Sequence, residues 1–164
     1  EGLYARRIIV PSYNSDGHLN YFVSRSYYPE EKMKYKNPPI SKNIICFDSQ
    51  INWKDPIILC EGVFDAIAIR RNAIPLLGKF VPRKLLKMMI KNQVKEVYIA
   101  LDDDALTEAR EIEQNLSQHG IDVKLVNLDK KDPSELGFID TWECIKNAER
   151  STFKDYIGGR LQNI

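Results

Sequence analysis

The spacing of apolar positions changes along this chain. Residues 7–10 and 19–26 hold closely spaced apolar and β-favouring side chains, and Asn14-Ser15-Asp16-Gly17 between them is a turn sequence. The pair predicts a β-hairpin. Residues 29–42 are rich in Lys and Pro and read as a loop, and Ile44-Ile45-Cys46-Phe47 is apolar enough to predict a further short strand. From Pro56 onward, apolar runs of strand length alternate with stretches of helical period. Ile57-Ile58-Leu59-Cys60 has no polar position, the pattern of a strand covered on both faces. Further strands are predicted over residues 74–77, 97–101 and 123–128, and helices over 64–72, 82–92 and 138–150. The helix over 82–92 has Pro near its start and an apolar stripe at Leu85, Met88 and Met89. Another helix shows a stripe at Leu106, Ala109, Ile112 and Leu116, with Gly120 where a C-terminal cap belongs.

Strands separated by helices predict an α/β fold, with a central parallel sheet and right-handed crossovers. In such sheets functional groups gather beyond the carboxyl ends of the strands. Three strands here lead into acids: Glu61 and then Asp65, Asp102-Asp103-Asp104, and Asp129 followed by Lys130-Lys131-Asp132-Pro133. Their carboxylates are therefore expected to converge on one sheet edge. Mutual repulsion would raise their pKa values or recruit a counter-cation. Mg²⁺ suits such a site, because it takes oxygen ligands from a few carboxylates and completes its shell with water and phosphate. The plainer reading of Asp104 and Asp132 is that each caps a helix.

Charge sharpens this picture. The net charge is +1, but no acid lies between Asp65 and Glu96, where eight basic residues do. A positive surface beside a negative site is the expected result. Lys84, Lys87 and Lys91 share one helical face and read as solvated. Cys46, Cys60 and Cys144 are odd in number and widely spaced, which argues against a disulfide framework or an internal zinc module. They read as small core residues in a reducing compartment. His18 and His119 stand away from every motif and read as surface residues. No apolar run reaches the roughly 20 residues of a membrane span, and no signal peptide is visible. The chain opens at Glu1 without Met, and a segment of a longer protein is expected.

Glu61-Gly62-Val63-Phe64-Asp65, Leu101-Asp102-Asp103-Asp104 and Lys131-Asp132-Pro133 together resemble the toprim signature. That domain is shared by bacterial-type primases, topoisomerases, some nucleases and recombination proteins. Upstream, Arg7-Ile8-Ile9-Val10-Pro11, Asp16-Gly17, Phe22, Arg25 and Lys34-Tyr35-Lys36-Asn37-Pro38-Pro39 resemble the segment that precedes toprim in bacterial and phage DNA primases. The resemblance implies three parts: a β-rich segment with the Lys-rich loop over residues 1–55, a toprim domain over 56–137, and a helical extension over 138–164.

It further implies template-directed joining of ribonucleotides on single-stranded DNA in the cytoplasm, with Mg²⁺ or Mn²⁺ as cofactor. Ribonucleoside triphosphates are the implied substrates, and a replicative helicase the implied partner, through regions outside this chain. Asp102 and Asp104 are implied as metal ligands, Glu61 as ligand or general base, and Asp65 and Asp132 as second choices. Arg7, Arg25, Lys34, Asn37 and Lys79 are implied to contact nucleotide phosphates or template. Arg suits such contacts by its bidentate fork and Lys by its compact charge. Tyr35 is expected either to stack on a base or to pack under the loop. Asp103 replaces a frequent Gly, Ala105-Leu106 a common Ala-Gly, and Ser134 a frequent second Asp. The family's upstream zinc module does not occur within the sequence. Other toprim chemistry, as a nuclease or phosphotransferase, and a non-catalytic nucleic-acid-binding module are the competing readings.

Overall fold

The computed structural model describes residues 2–129 and 131–149, apart from the side chain of Asp103. Arg150 and the rest of the expected extension to residue 164 lie outside the described residues.

Strands β1 (Arg7–Tyr13) and β2 (Leu19–Ser26) form the hairpin, antiparallel, with Arg7 paired to Ser26 and Ile8 to Arg25. At its turn Gly17 adopts φ +79°, left-handed space that suits a residue without Cβ. Asn14 Oδ1 accepts from the amides of Asp16 and His18 and closes that turn. The Lys-rich segment then runs back along β2. The Ser26 amide donates to the Lys34 carbonyl at 2.8 Å and the Lys36 amide to the Ser24 carbonyl at 2.9 Å, with Arg25 and Tyr35 paired between them.

Residues 44–47, expected as a strand, form none. Phe47 is left-handed at φ 60°, and its amide donates to Ser12 Oγ at 2.9 Å. The Ile45 carbonyl accepts from Asn20 Nδ2 at 2.9 Å, while Ser12 Oγ lies 2.6 Å from Asn20 Oδ1 as its donor. Side chains of the hairpin thus satisfy backbone groups that a ladder would otherwise take. Ile45, Cys46 and Phe47 are still buried, so their apolar pattern reflected packing rather than strand pairing.

The main sheet comprises β3 (Ile57–Cys60), β4 (Ala73–Pro75), β5 (Glu96–Ala100) and β6 (Asp122–Leu125), in the order β4-β3-β5-β6 and parallel throughout. Helices α1 (Val63–Ile69), α2 (Arg83–Lys91), α3 (Leu106–Gln118) and α4 (Pro133–Lys146) complete it. Period-two alternation divides each strand between two cores. On one face Leu59, Val97 and Ile99 meet Leu85 and Met89 of α2 and Ala109, Ile112 and Leu116 of α3. On the other, Ile58, Cys60 and Ala100 meet Ala66 and Ile69 of α1, Ile145 of α4, and Tyr21 and Val23 of β2. The hairpin therefore lies on the α1/α4 side. Trp142 of α4 donates its indole N–H to the Ile69 carbonyl at 3.0 Å, tying the end of α1 to the last helix.

Several boundaries differ from expectation for local reasons. α1 ends at Ile69 rather than 72, because Arg70 and Asn72 turn left-handed. Asn72 Nδ2 then reaches the carbonyls of Asn52 and Pro56. β4 stops at Pro75 rather than 77, since Leu77 has φ 57°. β6 ends at Leu125 rather than 128, opposite Ile99 near the end of its partner. α4 begins at Pro133 rather than 138, and Gly137 (φ 75°, ψ −179°) breaks it just before the expected start. Both histidines are exposed, and the three cysteines are unpaired, Cys144 being only half-buried. No helix among the described residues is long and apolar enough to cross a membrane.

Candidate metal centre

β3 and β5 are neighbours, so the residues that follow them leave the sheet side by side. Glu61 stays in register, for its carbonyl accepts the Leu77 amide at 3.0 Å. After β5 the chain passes Leu101 and Asp102 into a 3-10 turn, Asp103–Ala105, where the Ala105 amide donates to the Asp102 carbonyl at 2.9 Å. That turn brings Asp104 back beside Asp102. One carboxylate oxygen from each of Glu61, Asp102 and Asp104 lies within 4.8 Å of the others. Glu61 and Asp102 are half-buried, and Asp104 is exposed.

The electrostatics fit a cation. Burial raises the Glu61 pKa, with Asp102 adding to it and Lys79 opposing. Burial also raises Asp102, followed by the charges of Asp132 and Asp104. Asp102 Oδ1 is buried and has no hydrogen-bond partner among the described residues. Such an oxygen is costly unless something coordinates it. An all-oxygen set, crowded, with two of its three members half-buried and the third exposed, suits a hard divalent ion. Lys79, following Gly78 beyond β4, supplies partial compensation, its Nζ lying 3.2 Å from Asp104 Oδ1. Glu108, one helical turn beyond Asp104, adds negative charge felt by Glu61 and Lys79.

Asp65 and Asp132 lie outside that group of three. Asp65 Oδ2 accepts the Gly62 amide at 2.9 Å at the start of α1. A Cβ at residue 62 would stand only 3.1 Å from this oxygen, so the Gly of the Glu-Gly pair reflects a close approach. Burial pushes the Asp65 carboxyl up to about 6, although the Gly62 amide lowers it. Asp132 caps α4, accepting the Glu135 amide at 2.8 Å and the Ser134 hydroxyl at 2.7 Å on Oδ1. Ser134 thus holds the neighbouring acid in place. Asp104, the other acid that could have capped a helix, makes no cap and faces Lys79 instead.

The basic candidates divide into two kinds. Arg7 donates to the Met33 carbonyl at 2.8 Å and the Lys34 carbonyl at 3.3 Å, and Asn37 Oδ1 accepts the Ser24 amide at 3.0 Å. Both fasten the Lys-rich loop to the hairpin. Arg25 lays its guanidinium 4.8 Å from the Phe64 ring centroid and 5.6 Å from that of Tyr35, while Lys34 Nζ lies 6.0 Å from Tyr35. Burial raises the Tyr35 pKa, Arg25 lowers it, and Asp65 and Asp132 raise it, so this ring stands in the field of both groups. Phe64 was not singled out by the sequence. Its place directly after Glu61-Gly62-Val63 was the available signal.

The Toprim-like family matches residues 58–136. These residues, just under half of the chain, resemble a toprim domain. The chain is 32% identical over 147 residues to a DNA primase of Campylobacter jejuni, covering 79% of this chain and 24% of that protein. It is 30% identical over 129 residues to an uncharacterized protein of Mycoplasma pneumoniae, covering 73% of this chain and 61% of that one. The toprim fold also matches a structure of the Aquifex aeolicus primase comprising zinc-binding and RNA polymerase domains. The TM-score is 0.77 at 23% identity, over 99% of this chain and 45% of that one. A DnaG primase catalytic domain bound to single-stranded DNA matches with a TM-score of 0.72 at 20% identity, over 88% of this chain and 52% of that one. The chain thus spans about a quarter of the Campylobacter relative and 61% of the Mycoplasma one.

Proposed function

We propose that this chain is the catalytic core of a DNA primase, joining ribonucleotides on single-stranded DNA with release of pyrophosphate. The observation that carries this reading is the convergence of Glu61, Asp102 and Asp104 at the carboxyl edge of the sheet, in a chain homologous to DNA primases. Bound Mg²⁺ or Mn²⁺ would stabilise charge on phosphoryl oxygens and acidify the attacking hydroxyl.

Asp102 and Asp104 would hold the cation. Glu61 would serve as a further ligand or accept the proton of the hydroxyl, for which its raised pKa suits it. Asp65 and Asp132 hold two helix starts and deepen the negative field. Lys79, paired with Asp104 in the free chain, would move to an outer phosphate of the triphosphate. Arg25 and Lys34 would compensate the triphosphate or template backbone. Arg7 and Asn37 would serve them by fixing the loop that carries Lys34. A replicative helicase would engage regions outside this chain.

The test combines the chain with single-stranded DNA, ribonucleoside triphosphates and Mn²⁺, and measures triphosphate binding by calorimetry alongside product formation. Mn²⁺-dependent triphosphate binding and short RNA products, both lost in Asp102→Asn, are the expected result. DNA cleavage without synthesis would move the domain to the nuclease branch, and absence of Mn²⁺-dependent triphosphate binding would overturn the reading.

A further inference from the structure

Tyr27 and Tyr28 stand immediately after β2, and both are exposed, at 55% and 40%. Their rings lie 4.5 Å apart between centroids at an interplanar angle of 32°, and their hydroxyl oxygens are 3.5 Å apart. Ser26 Oγ accepts the Tyr28 amide at 3.1 Å and fixes the bend that presents them. The pair is therefore ordered before anything binds, which lowers the entropic cost of binding.

A hollow of about 570 Å³ opens on one side of the pair, lined among others by Ile8, Arg25, Tyr27, Tyr28, Lys34 and Phe64. That volume lies in the range of small-molecule sites. A second hollow, of about 420 Å³, adjoins Tyr28 and includes Arg6, Arg7 and Lys32. Glu30 and Glu31 are the acids of the two linings, outnumbered by Arg6, Arg7, Arg25, Lys32 and Lys34. The surface thus joins exposed, prearranged rings to excess positive charge. Arg25 connects it to the acidic edge, because its guanidinium rests on Phe64, and Phe64 follows Glu61 within one turn.

We propose that Tyr27 and Tyr28 form a stacking platform for the bases of single-stranded DNA, with the surrounding cations holding its backbone. Exposed rings set in a positive surface suit a single strand, whose bases are free to stack, and not a duplex, whose bases are already stacked. The platform extends the primase reading, on which only the identity of the strand rests.

Fluorescence anisotropy of a labelled oligodeoxythymidine tests it, with an abasic oligomer of equal length as the second probe. Tyr27→Leu/Tyr28→Leu should weaken binding of the base-bearing strand by about tenfold or more while leaving its salt slope unchanged. Tyr27→Phe/Tyr28→Phe should bind like the wild type, and the abasic strand should not distinguish any of the three. Equal binding by the folded Leu variant, or equal weakening toward the abasic strand, would overturn the platform. Should the Leu pair unfold, Tyr27→Leu alone carries the test, its ring being the more exposed. Calorimetry of Mn²⁺-dependent triphosphate binding separates the two readings. If it is absent while oligomer binding still depends on the tyrosines, the primase reading falls and the platform stands. If the wild type binds no oligomer, the platform falls.

Discussion

Lys79 Nζ lies 3.2 Å from Asp104 Oδ1, so an ammonium already holds part of the space in which a divalent cation would neutralise the same carboxylate. The two cations would compete for one oxygen. Lys79→Met should therefore tighten Mn²⁺ binding in the absence of nucleotide and weaken binding of the Mn²⁺–triphosphate complex, with little change in unfolding midpoint. Paired titrations by calorimetry check both signs.

Asp102→Asn/Asp104→Asn should abolish the heat of Mn²⁺ binding. Because the wild-type acids repel one another, the metal-free variant should also melt no lower than the wild type. Retained Mn²⁺ binding in the double variant would place the cation elsewhere.

Asp65 sets a pH dependence of defined sign. Burial raises its carboxyl from 3.8 to about 6, so the native chain holds this proton more tightly than the unfolded chain. The associated stability is fully present below 3.8 and is lost as pH rises through about 6, on the order of 3 kcal/mol. Glu61 and Asp102 are raised too and act in the same direction. Urea unfolding should show stability falling from pH 4 to 6.5. Asp65→Asn, which keeps an acceptor for the Gly62 amide, should flatten much of that slope.

Arg25→Ala should weaken both triphosphate and oligonucleotide binding by about tenfold. The salt slope for single-stranded DNA should flatten by about one unit if one phosphate contact is lost. Unchanged curves across a salt series, with the variant folded, would reduce Arg25 to a ring-stacking surface residue.

Ser12 is almost fully buried, and its hydroxyl joins Phe47 to Asn20. Ser12→Ala strands a backbone amide and a side-chain carbonyl, which should cost about 1–3 kcal/mol in urea unfolding.

These residues also mark the limits of the sequence. The parallel sheet was legible because β3 has no polar position and the following acids fall at strand ends. Glu61, Asp102 and Asp104 could be grouped because neighbouring strands must release their chains together. Residues 44–47 were misread, since burial and strand pairing leave the same apolar signature, and the deciding bonds come from Ser12 and Asn20, distant in sequence. The same limit applies to Arg7 and Asn37. A motif names a residue without revealing which backbone groups its polar atoms bond, the Met33 and Lys34 carbonyls for Arg7 and the Ser24 amide for Asn37. Tyr27 and Tyr28 lie in no motif, and only the fold shows them exposed together.

The indole bond from Trp142 to the Ile69 carbonyl spans 73 positions of sequence. Glu61, Asp102 and Asp104 all precede α4 along the chain, so during synthesis the three acids emerge before the helix that covers Cys60, Val63 and Ile69. Without that helix docked, the apolar face of Cys60, Val63 and Ile69 beside the acidic edge would be open to solvent. A chain clipped at residue 131 would retain every member of the cluster and still be prone to aggregate, because exposed core surface rather than missing chemistry would govern its fate.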